Sequence, residues 1–195
     1  MKSQNKKLSD ENARFIKEFE SKISETVKKY KLAEKKDRVI VACSGGKDST
    51  TVLYLLHKFG FKPSALFIDL AMGEWSDVNK EDIKKFCKEL GIKLHIITLK
   101  KELGCGMCYI KSVIRSKYRL SQCIICGIIK RWILNKEARK LKMTKIATGH
   151  NLDDEAQNVL MNWMKGNMEL SLNLGPRTGM LVYGGCSLSS TNATM

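Results

Sequence analysis

Four short runs of strand-forming residues, 39–42, 65–68, 94–97 and 145–148, alternate along the chain with stretches of helical periodicity. Strand followed by helix, repeated, is satisfied by a parallel sheet with helices on both faces, because each crossover helix packs back onto the sheet. The chain is therefore expected to be α/β. Helices are expected after the first run up to about Gly60, over 78–90, over 127–141 and over 153–165. A further surface helix over 9–30 is capped by Ser9 and carries Phe15, Phe19, Ile23, Val27 and Tyr30 at helical spacing, a stripe suited to docking. The 195 residues suffice for one such domain. The expected organisation is an N-terminal helical segment (1–35), one nucleotide-fold domain (36–180) and a Gly/Ser/Thr-rich flexible tail (181–195).

Lys and Arg number 35 against 20 Asp and Glu, a formal charge of +15. Such an excess suits a polyanionic partner, since each neutralised phosphate releases counterions, but a lysine-rich solvated surface has the same composition. Placement has to decide between them. There is no apolar signal-peptide core at the start and no run long enough to span a bilayer, so a cytoplasmic protein without a membrane partner is expected. Seven cysteines, an odd number, then point to reduced thiols with metal or redox chemistry before structural disulfides.

Ser44, Gly45, Gly46, Lys47, Asp48 and Ser49 stand between the first strand and the following helix, where parallel sheets bind ligands. Two glycines let backbone approach an anion closely, the helix start offers unpaired N–H groups, and Lys47 with two hydroxyls adds charge and donors. A Walker A loop is excluded, because Asp48 follows the lysine and the earlier glycine is missing. The segment resembles the PP-loop of the ATP pyrophosphatase superfamily, with an adenine nucleotide alpha-hydrolase-like fold. That resemblance implies ATP held at Ala42, at 44–49 and near Asp69, and cleaved to AMP and pyrophosphate.

The stretch 145–166 closes a second half of the site. Gly149 directly follows a strand, and Asp153, Asp154 and Glu155 open a helix whose dipole they complement. Capping alone would account for one of these acids and leaves His150 unexplained. Gly149, so placed, can let its backbone face the nucleotide, and the stretch resembles the second signature of tRNA-thiolating PP-loop enzymes, which implies that Asp154 contacts ATP or its Mg²⁺ and supports catalysis.

Cys123 and Cys126 form a C-x-x-C at a helix start, with Lys130 one turn further on and Arg131 beside it. Thiolate, the form that binds metal or attacks, is favoured at such a position. Taken together, residues 14–178 resemble the tRNA 2-thiouridine synthetases, a branch that includes the eukaryotic cytosolic thiouridylases. The resemblance implies a 4Fe–4S cluster on Cys123, Cys126 and a third cysteine, and a catalytic Lys130. It also implies a chain shortened at its C-terminus, with Cys186 nearest in order to the third ligand. The family's N-terminal zinc finger has no counterpart, as no cysteine precedes Cys43. An extra pair, Cys105 and Cys108, gives with Cys123 and Cys126 a spacing close to a four-cysteine zinc pattern, so zinc is the alternative metal. Cys43 and Cys87 read as buried small hydrophobes.

Lys111, Arg115, Lys117 and Arg119 precede the C-x-x-C with Tyr109 and Tyr118 among them; Arg131, Lys136, Arg139, Lys140 and Lys142 follow it with Trp132. Basic and aromatic residues mixed around the chemistry suit RNA, whereas Lys80, Lys84, Lys85 and Lys88 read as a plain solvated helix face. The expected function is ATP-dependent 2-thiolation of a tRNA uridine, with sulfur from inorganic sulfide or a carrier-protein thiocarboxylate, in a monomer or homodimer. Two other classes share part of the pattern. A PP-loop ligase such as a lysidine synthetase or amidotransferase-type enzyme would not need the cysteines, and a zinc-stabilised RNA-binding module would not need ATP.

Overall fold

The computed structural model describes the backbone of residues 2–118, 120–173, 177–183 and 186–192, and side chains over 10–171 except those of 75, 119 and 170. Helix α1 (Lys2–Lys29) leads into β1 (Val39–Cys43), α2 (Lys47–Lys58), β2 (Ser64–Asp69), α3 (Glu74–Glu89) and β3 (Leu94–Thr98). There follow α4 (Leu99–Leu103), α5 (Met107–Tyr118), α6 (Gln122–Lys140), β4 (Lys145–Thr148), α7 (Leu152–Met164) and a 3-10 turn (Met168–Asn173). Strands β5 (Arg177–Tyr183) and β6 (Cys186–Asn192) complete the described backbone.

The sheet runs β3-β2-β1-β4-β6-β5. β3, β2, β1 and β4 are parallel, as the alternation of strands and helices requires. Alternate residues of β1 go to opposite faces. Val39, Val41 and Cys43 pack with Val52, Leu53 and Leu56 of α2 and Ile83 and Cys87 of α3. Ile40, with Leu66 and Ile146, faces Leu134 and Ala138 of α6. All the parallel strands therefore end on one edge, and the loops after β1, β2 and β4 gather there. Among the described residues no helix is long and apolar enough to cross a membrane.

Three differences from the sequence reading have physical causes. α1 starts at Lys2, so Ser9 lies inside it rather than capping it. Only the later part of its stripe docks: Ile23 and Val27 are buried with Leu32 against Leu55 of α2, while Phe15 is 65% exposed and stacks on Phe19 instead. The segment expected as a flexible tail carries β6, parallel to β4, and its hairpin partner β5 spans the expected boundary. Pairing to a free strand edge uses main-chain groups, which leave no apolar period in the sequence.

Candidate active site

The loop after β1 is shaped by its own hydroxyls. Ser44 N donates to Ser49 Oγ at 3.2 Å, and Ser49 Oγ donates onward to Gly46 O at 3.0 Å. Ser49 is buried by this arrangement, whereas Ser44, Gly46, Lys47 and Asp48 stay exposed. Helix α2 begins without a side-chain cap at Gly46, and its first internal bond runs from Thr50 N to Gly46 O at 3.2 Å. The amides of Lys47 and Asp48 precede that bond and are left for an anion, at the positive end of the dipole. Ala42, half-buried at the end of β1, lies behind the loop.

Two glycines are required by geometry here. Gly45 has a φ of +87°, and a Cβ on it would lie 2.5 Å from Asn79 Oδ1 on α3. A Cβ on Gly149 would lie 2.7 Å from Ser49 N and 2.9 Å from Asp48 C, so the end of β4 is pressed onto the first turn of α2. This contact joins the two halves that the sequence keeps a hundred residues apart.

Asp69 ends β2 and is buried. Its Oδ1 accepts from Ala71 N at 2.9 Å and Ser76 Oγ at 2.8 Å, and its Oδ2 accepts from Lys80 Nζ at 3.2 Å. Burial alone would raise its pKa, but the hydrogen bonds from Ala71, Ser76 and Lys80 outweigh that and hold it below the ordinary carboxylate value. Asp69 thus ties the start of α3, and with it Asn79, beside the loop. Lys80 was expected on a solvated face and is instead drawn inward by Asp69, while Lys84, Lys85 and Lys88 are exposed as expected.

At the start of α7 Asn151, which the sequence reading did not name, and Asp154 cap the helix reciprocally. Asn151 Oδ1 accepts from Asp154 N at 3.0 Å, and Asp154 Oδ2 accepts from Asn151 N at 2.9 Å. Asp154 is half-buried with Oδ1 left outside this exchange, Asp153 is exposed, and Glu155 is buried. His150, exposed, shares a hydrogen bond with Thr148 Oγ1 at 3.0 Å through Nδ1.

Helix α6 starts five residues before the expected 127, capped by Ser121 Oγ, which accepts from Ile124 N at 3.3 Å. Cys123 is therefore its second residue and Cys126 its fifth, the former exposed and the latter half-buried, both as free thiols. Lys130 is exposed on the following turn. The Arg131 guanidinium folds over Gly127, where an added Cβ would meet Nη2 at 3.3 Å. Arg115 and Lys117 are exposed on α5, with Lys117 Nζ 5.6 Å from the Tyr118 ring centroid. Lys136 is engaged by Glu102 and lies 5.1 Å from the Trp132 ring centroid, so it is less available than the sequence suggested. Arg119 and the Cys186 side chain lie outside the described residues.

As a donor set, two thiols three residues apart at a capped helix start fit two ligands of a cluster. Among the described residues no group of three or more Cys, His, Asp or Glu comes together to hold a metal. The four-cysteine zinc arrangement that the spacing suggested is therefore not assembled. Sequence reasoning also missed Asn79, Ser76 and Lys80 as supports of the loop; their signal, a polar i, i+3, i+4 stripe at a helix start, looks like ordinary surface.

The model of the PP-loop domain family matches residues 15–178. The tRNA-5-methyluridine(54) 2-sulfurtransferase of Pyrococcus horikoshii is 42% identical over 158 residues, which is 81% of this chain and 49% of that protein. Cytoplasmic tRNA 2-thiolation protein 1 of Arabidopsis thaliana is 33% identical over 160 residues, 79% of this chain and 44% of that one. Among solved structures, the U34-tRNA thiolase NcsA from Methanococcus maripaludis with its [4Fe-4S] cluster superposes with a TM-score of 0.73 at 28% identity, covering 92% of this chain and 58% of its own. The chain spans about half the length of the curated relatives it matches. A glycine loop on an uncapped helix, a second glycine pressed against it, and a match that runs through both agree: the chain belongs to the PP-loop domain family.

Proposed function

We propose that this chain binds ATP at the loop 44–49 and uses it to activate the C2 oxygen of a tRNA uridine for replacement by sulfur, in the cytoplasm. The observation that carries the reading is the uncapped start of α2 at the same protein, and in the same family, as a thiol pair one turn before a free-standing Lys130. The tRNA thiolation named for the relatives supports the substrate class.

The β,γ-pyrophosphate would rest on the Lys47 and Asp48 amides, with Lys47 and the Ser44 hydroxyl adding charge and a donor. Asp154, fixed by its exchange with Asn151, would present Oδ1 to Mg²⁺ on the phosphates. The uridine C2 oxygen attacks the α-phosphorus, a P–O bond forms, and pyrophosphate leaves with the electron pair. A sulfur nucleophile then adds to C2, and AMP departs carrying the former uridine oxygen. Lys130 would stabilise the negative charge that develops on that oxygen. Cys123 and Cys126 would hold two corners of a 4Fe–4S cluster, which when bound supplies an iron able to carry sulfide. Arg115, Lys117, Arg119 and Arg131 would grip the RNA backbone, and an unstacked uridine would enter between them and the loop. The sulfur donor is proposed to be sulfide or a carrier-protein thiocarboxylate, and the active form a homodimer.

Cys123→Ala tests the reading. Thiolation of tRNA, read by mass spectrometry of nucleosides, should be lost while ATP affinity is kept. Full thiolation by the variant would remove the thiol pair from the mechanism.

A further inference from the structure

One thiol pair has no part in that scheme. Cys105 and Cys108 flank the start of α5, Cys105 half-buried and Cys108 exposed, both free. Their turn is pinned to the sheet edge that carries the nucleotide loop. Gly104 closes α4 in the left-handed conformation (φ +74°), and Met107 N donates to Leu70 O at 3.2 Å. Gly106 lies against the same chain end, where a Cβ would sit 3.4 Å from Ala71 O. Met107, between the two cysteines, is fully buried with Leu70, Leu99 and Ile133, and Cys126 packs against that same cluster. Cys105 lines an apolar groove of about 360 Å³ with Ile128, Ile129 and Trp132 of α6.

Two C-x-x-C pairs thus begin two neighbouring helices and meet at one apolar cluster. They form no shared metal-ligating group among the described residues. Cys105 stands two residues before α5 and Cys108 is its second residue, so the pair spans a helix start, where C-x-x-C thiols undergo exchange. Such pairs, exposed at one thiol and covered at the other, suit thiol exchange.

We propose that Cys105 and Cys108 are a redox-active dithiol that takes sulfane sulfur from a persulfide and releases it as hydrosulfide beside Cys123 and Cys126. The exposed Cys108 thiolate attacks the terminal sulfur of the donor, R–S–SH. A new S–S bond forms on Cys108, the donor's S–S bond breaks, and the donor leaves as its thiolate. Cys105, whose Sγ donates to Leu103 O at 3.4 Å until it is deprotonated, then attacks Cys108 Sγ and expels HS⁻. The dithiol loses two electrons and becomes the Cys105–Cys108 disulfide; the sulfane sulfur gains them and leaves as sulfide. A dithiol reductant of the thioredoxin class returns the pair to thiols. The inference rests on the thiolation reading only for the destination of the sulfide.

The test uses the full chain carrying Cys123→Ala and Cys126→Ala, under anaerobic conditions, with glutathione persulfide as the sulfur source. One hydrosulfide per chain should appear, with a Cys105–Cys108 disulfide found by peptide mapping. Adding Cys105→Ser should leave one extra sulfur on Cys108 and cut hydrosulfide release at least about tenfold, because the resolving thiol is gone. Adding Cys108→Ser should prevent sulfur uptake at this turn. Equal hydrosulfide release from the Cys108→Ser protein would overturn the proposal. So would stoichiometric zinc that both serine variants lose. Neither ATP nor tRNA enters the assay, so failure of thiolation itself would leave its result unchanged.

Discussion

Gly149→Ala separates packing of the two halves of the site from ligand contact. The added methyl would lie 2.7 Å from Ser49 N and 2.9 Å from both Asp48 C and Ser49 Cα. Every one of these atoms is backbone at the first turn of α2, so no side chain can swing away. The contact must open to ordinary van der Waals separation, 3.4 Å or more, by moving the end of β4 off the loop. Overpacking of this kind costs about 1–3 kcal/mol. For a chain of this size, each kcal/mol lowers the thermal midpoint by about 2–4 °C. If binding must press the halves together again, a cost of about 1–2 kcal/mol lowers ATP affinity roughly 5–30-fold. Calorimetry with ATP and a thermal melt measure both quantities. Gly46→Ala is the control. Its methyl would meet only Ser44 Oγ, at 3.4 Å, and the backbone there is extended with φ −81°. That variant should melt with the wild type yet bind ATP weakly, since the methyl occupies the face that receives phosphate. A Gly149→Ala protein with unchanged midpoint and unchanged affinity would refute the close approach of β4 and α2.

Two further outcomes follow from buried groups. Asp69 has a folded pKa below its ordinary 3.8, so its stabilising contribution is complete above that value and is lost as pH falls through the lower folded one. Asp69→Asn should therefore destabilise the protein near neutrality by about 1–3 kcal/mol and flatten the acid limb of the stability curve below pH about 4, read by denaturant titration; an unchanged acid limb would contradict the assignment. Burial, with Cys87 beside it, pushes the Cys43 thiol up to about 12, and burial also raises Cys87. Brief iodoacetamide treatment of the folded chain near pH 8 should label Cys108 and Cys123 and spare Cys43 and Cys87, as mass spectrometry would show; prompt labelling of Cys43 would contradict its burial.

Much of the fold was legible because parallel strands buried on both faces read as compact apolar runs. β4 matches its expected run of 145–148, and the other three exceed theirs by one or two residues. The phosphate loop was legible for the same reason, since it needs glycine where backbone crowds a ligand or Asn79. Helix α5 was not read, because Met107, Ile110 and Ile114 sit among basic residues that the chain also needs outside. Lys80 was misjudged because its partner Asp69 is eleven residues away and buried by a turn, a pairing no helical period encodes. The spacing of the four cysteines permits zinc as the alternative to a cluster on Cys123 and Cys126, but Met107 and Gly106 tie the first pair to the chain just after β2 and Ser121 caps the second onto its own helix, and no shared metal-ligating group forms among the described residues.

The central claim is that the uridine oxygen passes to the α-phosphate of ATP held on the loop. Thiolation of tRNA labelled with ¹⁸O at uridine C2 measures this directly, by mass spectrometry of the AMP formed. The account predicts one ¹⁸O in each AMP for each sulfur incorporated. Unlabelled AMP alongside thiolated tRNA, or ADP in place of AMP, would contradict it.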